Sequence, residues 1–140
     1  MPPFHFELVS PERLLFEGEV ESVVVPGSEG ELTVMAGHAP LVAPLRPGPM
    51  LATYPDGRSE EFFVQGGLAE IGPRGLTILA ERASGMSEVT RESLDRDIAA
   101  AATTRRDGAR SDDDQRRLSE QVAQLTDFRD TLGTRATAGR

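Results

Sequence analysis

Up to about residue 84, short runs rich in Val, Leu, Phe and Ile are broken at close intervals by Gly and Pro. That grammar predicts many brief strands joined by tight turns. The runs are Phe4–Val9, Glu19–Val25, Glu31–Met35, Leu41–Leu45, Met50–Tyr54, Ser59–Val64, Leu68–Ile71 and Leu76–Ala80. Several alternate with period two, so one side of each strand is apolar. In Glu19–Val25 the alternation sets Val20, Ser22 and Val24 on one face and Glu21, Val23 and Val25 on the other. Val20, Val24, Leu32, Val34, Phe62, Val64, Leu76 and Ile78 are the expected core. Tyr54-Pro55-Asp56-Gly57-Arg58 reads as a hairpin turn, because Pro presets φ and Gly accepts positive φ. With no helical stretch between them, such strands predict an all-β sandwich or barrel.

The pattern changes at Ser84-Gly85-Met86-Ser87, after which the chain holds no proline. A first helix is expected from about Thr90 to Arg106, with Ser87 or Thr90 as its N-cap and Gly108 as its stop. A second is expected from about Asp113 to Leu132. Asp112, Asp113 and Asp114 favour its N-terminal dipole, and Gly133 is its expected stop. Leu118, Val122, Leu125, Phe128 and Leu132 recur every three or four residues and form one stripe. The first helix answers with Leu94 and Ile98, then mostly alanine, which favours helix but buries little surface. The organisation expected is therefore a β-sandwich domain over 1–84, a helical hairpin over 88–133 and a frayed polar tail over 134–140. So thin a seam admits two readings: a plain structural hairpin, or one that docks, undocks and exchanges partners.

Charge sharpens this division. Of the net −8 carried by 140 residues, residues 1–87 contribute 12 acidic and 5 basic side chains, residues 88–140 contribute 11 and 10. The acidity belongs to the strand half, which argues against nucleic acid as a partner. All 15 basic residues are arginine, so a phosphate-binding P-loop with its lysine is excluded. The absence of cysteine excludes disulfides and thiolate chemistry. His5 and His38 are not paired at metal-ligand spacing, and Ser28 lacks the strand–helix setting of a nucleophile elbow. Carboxylate pairs at Glu29/Glu31 and Glu60/Glu61 suit solvated turns and edges. The expectation is a non-enzyme with no metal and no cofactor. The N-terminus lacks the grammar of a signal peptide, and no apolar run nears the roughly 20 residues that span a bilayer. Membrane association, on this reading, runs through a protein partner and not through insertion.

Gly27-Ser28-Glu29-Gly30-Glu31-Leu32, followed by a strand and then Gly37-His38-Ala39-Pro40-Leu41, resembles the most recognisable stretch of the epsilon-subunit family of F-type ATP synthases. Phe6-Glu7-Leu8-Val9-Ser10-Pro11-Glu12 with Phe16-Glu17-Gly18-Glu19 is similar to that family's first strands. Phe63-Val64-Gln65-Gly66-Gly67 and Leu76-Thr77-Ile78-Leu79-Ala80-Glu81 are similar to its later ones. The resemblance runs in order from residue 4 to 83. It implies a sandwich of about ten strands with two C-terminal helices. It also implies a rotor subunit of the central stalk that binds the gamma subunit and rests on the c ring, coupling proton flow to ATP synthesis. Such a subunit sits peripherally on the cytoplasmic face of the bacterial inner membrane. Its hairpin is expected to reach the alpha/beta catalytic head and regulate hydrolysis.

Carried over residue by residue, the resemblance assigns Ser28, Glu29, Gly30 and Glu31 to the c-ring contact. A carboxylate tip suits the arginines of the ring's polar loops. Ser10, His38, Ala39 and Pro40 fall to the gamma contact, with His38 either touching gamma or packing the turn. Some relatives bind ATP between the helices through Ile or Leu, Asp, two variable residues, Arg and Ala. Here the register reads Leu94-Asp95-Arg96-Asp97-Ile98-Ala99, so Ile98 stands in place of the arginine and no nucleotide site is expected. The competing reading is a stand-alone sandwich that binds a ligand or peptide, with the helices as a dimerisation appendage.

Overall fold

The computed structural model describes residues 2–108 and 111–138. Chain contacts divide it into two compact units, Met1–Glu88 and Val89–Arg140.

The first unit is a β-sandwich of eight strands: β1 (Phe4–Val9), β2 (Leu14–Val20), β3 (Ser22–Gly27), β4 (Gly30–Met35), β5 (Leu41–Pro44), β6 (Gly48–Thr53), β7 (Ser59–Gly72) and β8 (Gly75–Gly85). One hydrogen-bonded path runs β2-β1-β8-β7-β6-β3-β4, with β5 also on β7. All pairs are antiparallel except β1 with β8. The path folds on itself because β7 and β8 are long enough to serve both layers. Gly66 and Gly67 take φ of 75° and 115° in the middle of β7. A Cβ on Gly67 would overlap the Leu79 carbonyl oxygen, so the bend requires glycine there.

The partner of β7 follows the same bend. Leu41↔Ile71 to Pro44↔Leu68 and Gly48↔Val64 to Thr53↔Ser59 lie on one unbroken register. The Leu45 N–H donates to the Gly67 carbonyl at 2.9 Å within the gap between them. Prolines at 44, 47 and 49 lack N–H donors, which divides this run into β5 and β6.

The expected strands differ from this in two places. Glu19–Val25 is not one strand. The chain leaves β2 at Val20, where it pairs with β1, and begins β3 at Ser22, where it pairs with β4 and β6. The switch at Glu21 resets the alternation, so Val23 and Val25 are buried while Val24 is only half-buried. Ser59–Val64 and Leu68–Ile71 are instead one strand, bent and not interrupted at its glycines, and the sandwich has eight strands where about ten were expected. The remaining expected core holds: Val20, Val34, Phe62, Val64, Leu76 and Ile78 are buried together, with Leu32 packed against them. Phe6, Leu8 and Met50 join them without exposure. The turn at Tyr54–Arg58 forms as expected, with Gly57 at φ 91° and the Tyr54 N–H donating to the Arg58 carbonyl at 2.7 Å.

The second unit is a helical hairpin of α1 (Arg91–Asp107) and α2 (Asp112–Ala138). Thr90 is the N-cap of α1. Its hydroxyl accepts from the Ser93 N–H at 3.0 Å, and Ser93 Oγ accepts from the Thr90 N–H at 2.9 Å. The Gly108 N–H donates to the Thr104 carbonyl and ends the helix. Ser111 caps α2 by accepting from the Asp114 N–H at 3.0 Å. Among the described residues of this unit, Leu94, Ala101, Leu118, Leu125 and Phe128 are buried. Polar contacts tie α1 to α2 at its ends, among them Arg105 Nη1 donating to Ser119 Oγ at 3.4 Å. Arg129 Nη1 donates to Asp95 Oδ1 at 2.9 Å, and Gln115 Nε2 to the Arg105 carbonyl at 2.8 Å.

The helix does not stop at Gly133. A single glycine costs a helix only about 1 kcal/mol against alanine, and no proline follows to end it. Residues 134–138 of the expected polar tail are therefore helical, and 139–140 lie outside the described residues.

Candidate functional site

The β3–β4 hairpin ends in a two-residue turn, Ser28-Glu29, closed by the pair Gly27↔Gly30. Among the described residues no non-glycine residue has positive φ, and the reversal is absorbed by Gly30 at φ 135°. Ser28, Glu29, Gly30 and Glu31 are all exposed. The tip does not hang free. Backbone bonds run from the Ser28 N–H to the Pro44 carbonyl at 2.9 Å and from the Arg46 N–H to the Pro26 carbonyl at 3.0 Å. Between tip and β5 lies a groove of about 460 Å³ lined by Glu29, Glu31, Leu32, Leu41, Val42 and Pro44. It offers two carboxylates over an apolar floor, which suits a partner surface carrying basic groups beside aliphatic ones.

A second feature emerges only when the strand registers are combined. Pro44 pairs with Leu68, Leu68 with Leu79, Leu79 with Val9, and Val9 with Leu14. Residues directly opposite on neighbouring strands share a face, so the first four form one row across β5-β7-β8-β1, and the exposed Leu14 continues it on β2 past a bulge at Leu8/Val9. Their inward neighbours Phe6, Leu8, Ala69, Ile71, Leu76 and Ile78 are buried, so the row faces outward. Leu14, Leu68 and Leu79 are 53%, 43% and 44% exposed. Solvent does not stabilise three large aliphatic side chains in line, and a contiguous apolar patch of this kind marks a contact surface. The next row on the same face is mostly polar: Val42, Glu70, Thr77, Glu7 and Glu17.

Ser10, His38, Ala39 and Pro40 are not brought to one spot. Ser10 follows Val9 in the β1–β2 turn, where its Oγ donates to the Arg13 carbonyl at 3.3 Å. It lies at the apolar-row end of this layer. His38–Pro40 precede Leu41, which is level with Ile71, Leu76 and Phe6 at the opposite end. His38 is exposed, and its Nδ1 bonds the Ala39 carbonyl at 2.8 Å. With His5, Glu19 and Arg74 it lines a groove of about 400 Å³.

His5 has an environment the sequence did not reveal. Its Nε2 lies 3.0 Å from Glu7 Oε1 and 3.3 Å from Glu17 Oε2. The hydrogen bond to Glu7 raises the imidazole above its ordinary pKa, and the nearby charges of Glu17 and Glu19 add to this. In return, the bond to His5 holds the Glu7 carboxyl below its ordinary value.

In the hairpin, Leu94 is fully buried, Ile98 is half-buried, and Asp95 and Ala99 are exposed. The Asp95 carboxylate is taken by Arg129. Where an arginine is needed for phosphate, an aliphatic side chain stands beside an acid already paired.

Residues missed by sequence reasoning are Leu14, Leu68 and Leu79 of the row, and Glu7 and Glu17 beside His5. Their signal is long-range pairing, which a single chain does not spell out. Among the described residues no helix is long and apolar enough to cross a membrane.

Comparison with known proteins bears on the family and the fold. A family model for the ATP synthase delta/epsilon chain, beta-sandwich domain, matches residues 3–86. The chain is 44% identical over 128 residues to the ATP synthase epsilon chain of Parvibaculum lavamentivorans, covering 91% of this chain and 96% of that protein. To the ATP synthase epsilon chain of Mesorhizobium japonicum it is 47% identical over 125 residues, covering 88% and 90%. Among solved structures, a chain of the Euglena gracilis mitochondrial ATP synthase (OSCP/F1/c-ring) superposes with a TM-score of 0.69 at 20% identity, covering 93% of this chain and 81% of that one. A chain of the Tetrahymena thermophila mitochondrial ATP synthase, central stalk/c-ring, gives 0.60 at 13% identity, with coverages of 90% and 96%. These two likenesses are of fold.

Proposed function

This chain belongs to the ATP synthase epsilon-chain family, and from that premise we propose that it is a rotor subunit clamped between gamma and the c ring. The observation that carries the proposal is the outward apolar row Pro44-Leu68-Leu79-Val9-Leu14. Gamma covers this row, with Ser10 at one margin of the covered face and His38, Ala39 and Pro40 at the other. The acidic tip, Ser28 to Glu31, meets the polar loops of the c ring. Because the tip is hydrogen-bonded to β5, which carries one end of the row, load on one contact passes to the other through backbone. The subunit works without an active site of its own, peripherally on the cytoplasmic face of the bacterial inner membrane.

The hairpin is the regulatory part in this proposal. It exchanges its seam for contact with the alpha/beta head, and nucleotide does not set the exchange, because Ile98 stands where the arginine is needed and Asp95 is paired with Arg129.

Binding of this chain to its gamma subunit tests the reading. Leu79→Arg puts a charge in the middle of the row and is expected to weaken binding more than about tenfold, while the isolated chain keeps its melting temperature. Glu31→Arg is expected to leave gamma binding intact and to reduce proton-driven ATP synthesis at low salt. Unchanged gamma binding by Leu79→Arg would refute the assignment of the row.

A further inference from the structure

We infer that His5, Glu7 and Glu17 form a surface site for a late first-row divalent cation, zinc foremost. The fold builds the site from two simple rules. Residues two apart on a strand share a face, which puts His5 beside Glu7 on β1. The register Glu7↔Glu17 then sets a second carboxylate opposite the first, on β2. The donor atoms of the three side chains all lie within 4.8 Å of one another.

The two separations from the imidazole nitrogen match those around a bound ion. With bonds of about 2.0–2.1 Å, two ligands of a tetrahedral zinc ion are roughly 3.3 Å apart. Here Nε2 to Glu7 is 3.0 Å and Nε2 to Glu17 is 3.3 Å. One imidazole nitrogen with two carboxylate oxygens is a borderline donor set. It favours zinc, copper or nickel over magnesium or calcium, which take oxygen alone. Water completes the coordination. The three side chains are partly exposed, 39%, 34% and 49%, and β2 is the end strand of its path, so a hydrated ion has an open approach.

Charge favours the same occupant. Glu19 stands across from His5, so three carboxylates gather around one imidazole. A dication between them removes an excess of negative charge that a neutral ring leaves standing. The ion also cross-links β1 to the edge strand β2.

Calorimetric titration of the full chain with zinc chloride at pH 7, where millimolar zinc stays in solution, tests it. One zinc ion per chain is expected, together with a rise in melting temperature as free zinc increases. His5→Gln and Glu7→Gln are each expected to weaken binding about tenfold or more, and His38→Gln to leave it unchanged. NMR of the imidazole nitrogens should show His5 Nε2, and not His38, shifting with zinc. Binding absent at millimolar zinc, retained in full by His5→Gln, or lost with His38→Gln overturns the site.

Discussion

The two units of this chain solve the same problem with unequal means. The sandwich closes around large side chains from both layers, with Phe6, Leu8, Val20, Val23, Val25, Met50, Val64 and Ile78 wholly withdrawn from solvent. Among its described residues the hairpin buries five, one of them alanine, and adds exposed polar ties at its ends. Apolar burial sets stability, at about 25 cal/mol per Å², whereas ties between solvated groups add little. On the function proposed above, the sandwich is the rigid body and the hairpin the part whose closed form a partner displaces. Strength and adaptability are kept in separate stretches of chain, joined at Ser84–Glu88.

The contrast can be broken most forcefully in the sandwich. Phe6→Ala or Leu8→Ala empties a site with no exposure and should cost about 3–5 kcal/mol in urea denaturation. Gly67→Ala comes next, since it forces a side chain into the Leu79 carbonyl and off a φ of 115°. A loss of more than about 1 kcal/mol is expected in the same assay. Deleting residues 89–140 should do less than either, leaving a cooperative melt and gamma binding. An unfolded product would show that the sandwich depends on the hairpin.

Acidity gives a finer probe. His5 is held above its ordinary 6.5, so its contribution is full below that value and fades as pH rises through the raised folded value. Glu7 is held below its ordinary 4.5, so its contribution is full above that value and is lost as pH falls through the lowered one. The β1–β2 edge is therefore tightest between the ordinary values of 4.5 and 6.5 and loosens on either side. In metal-free buffer, His5→Gln should flatten the alkaline side of the melting-temperature profile. The smallest effect belongs to Asp95→Asn, which loosens the tie to Arg129. Hydrogen exchange in residues 91–132 should quicken by a few-fold at most, with or without ATP.

What the sequence made legible was local. The strand-rich half, its turns and the break before the hairpin follow from Gly, Pro and periodicity within a few residues. The tip at Ser28–Glu31 was legible for the same reason, as two glycines flank two acids. The run Glu19–Val25 misled because a strand that changes partners at Glu21 keeps an apolar composition while its inward face changes phase. Gly66-Gly67 reads as an end of a strand, yet β8 stays paired across it and the glycines mark a bend. The apolar row and the His5 cluster were hidden for a deeper reason. Both are rows across strands, and their members come together only through registers such as Val9↔Leu14 and Glu7↔Glu17. The hydrophobic pattern alone predicted no strand over residues 14–18, so on that pattern neither row had its last member.

The bend shared by β7 and its partner has a mechanical consequence. Because Leu41–Thr53 follows β7 on one register through the corner, the two layers are continuous stretches of the same strands. A sideways push on the outer face of one layer becomes tension along those strands. The hydrogen bonds of the ladder then resist together, in shear, and not one after another as in peeling. The corner behaves as a welded bracket, and twisting one sheet turns the other with little lag.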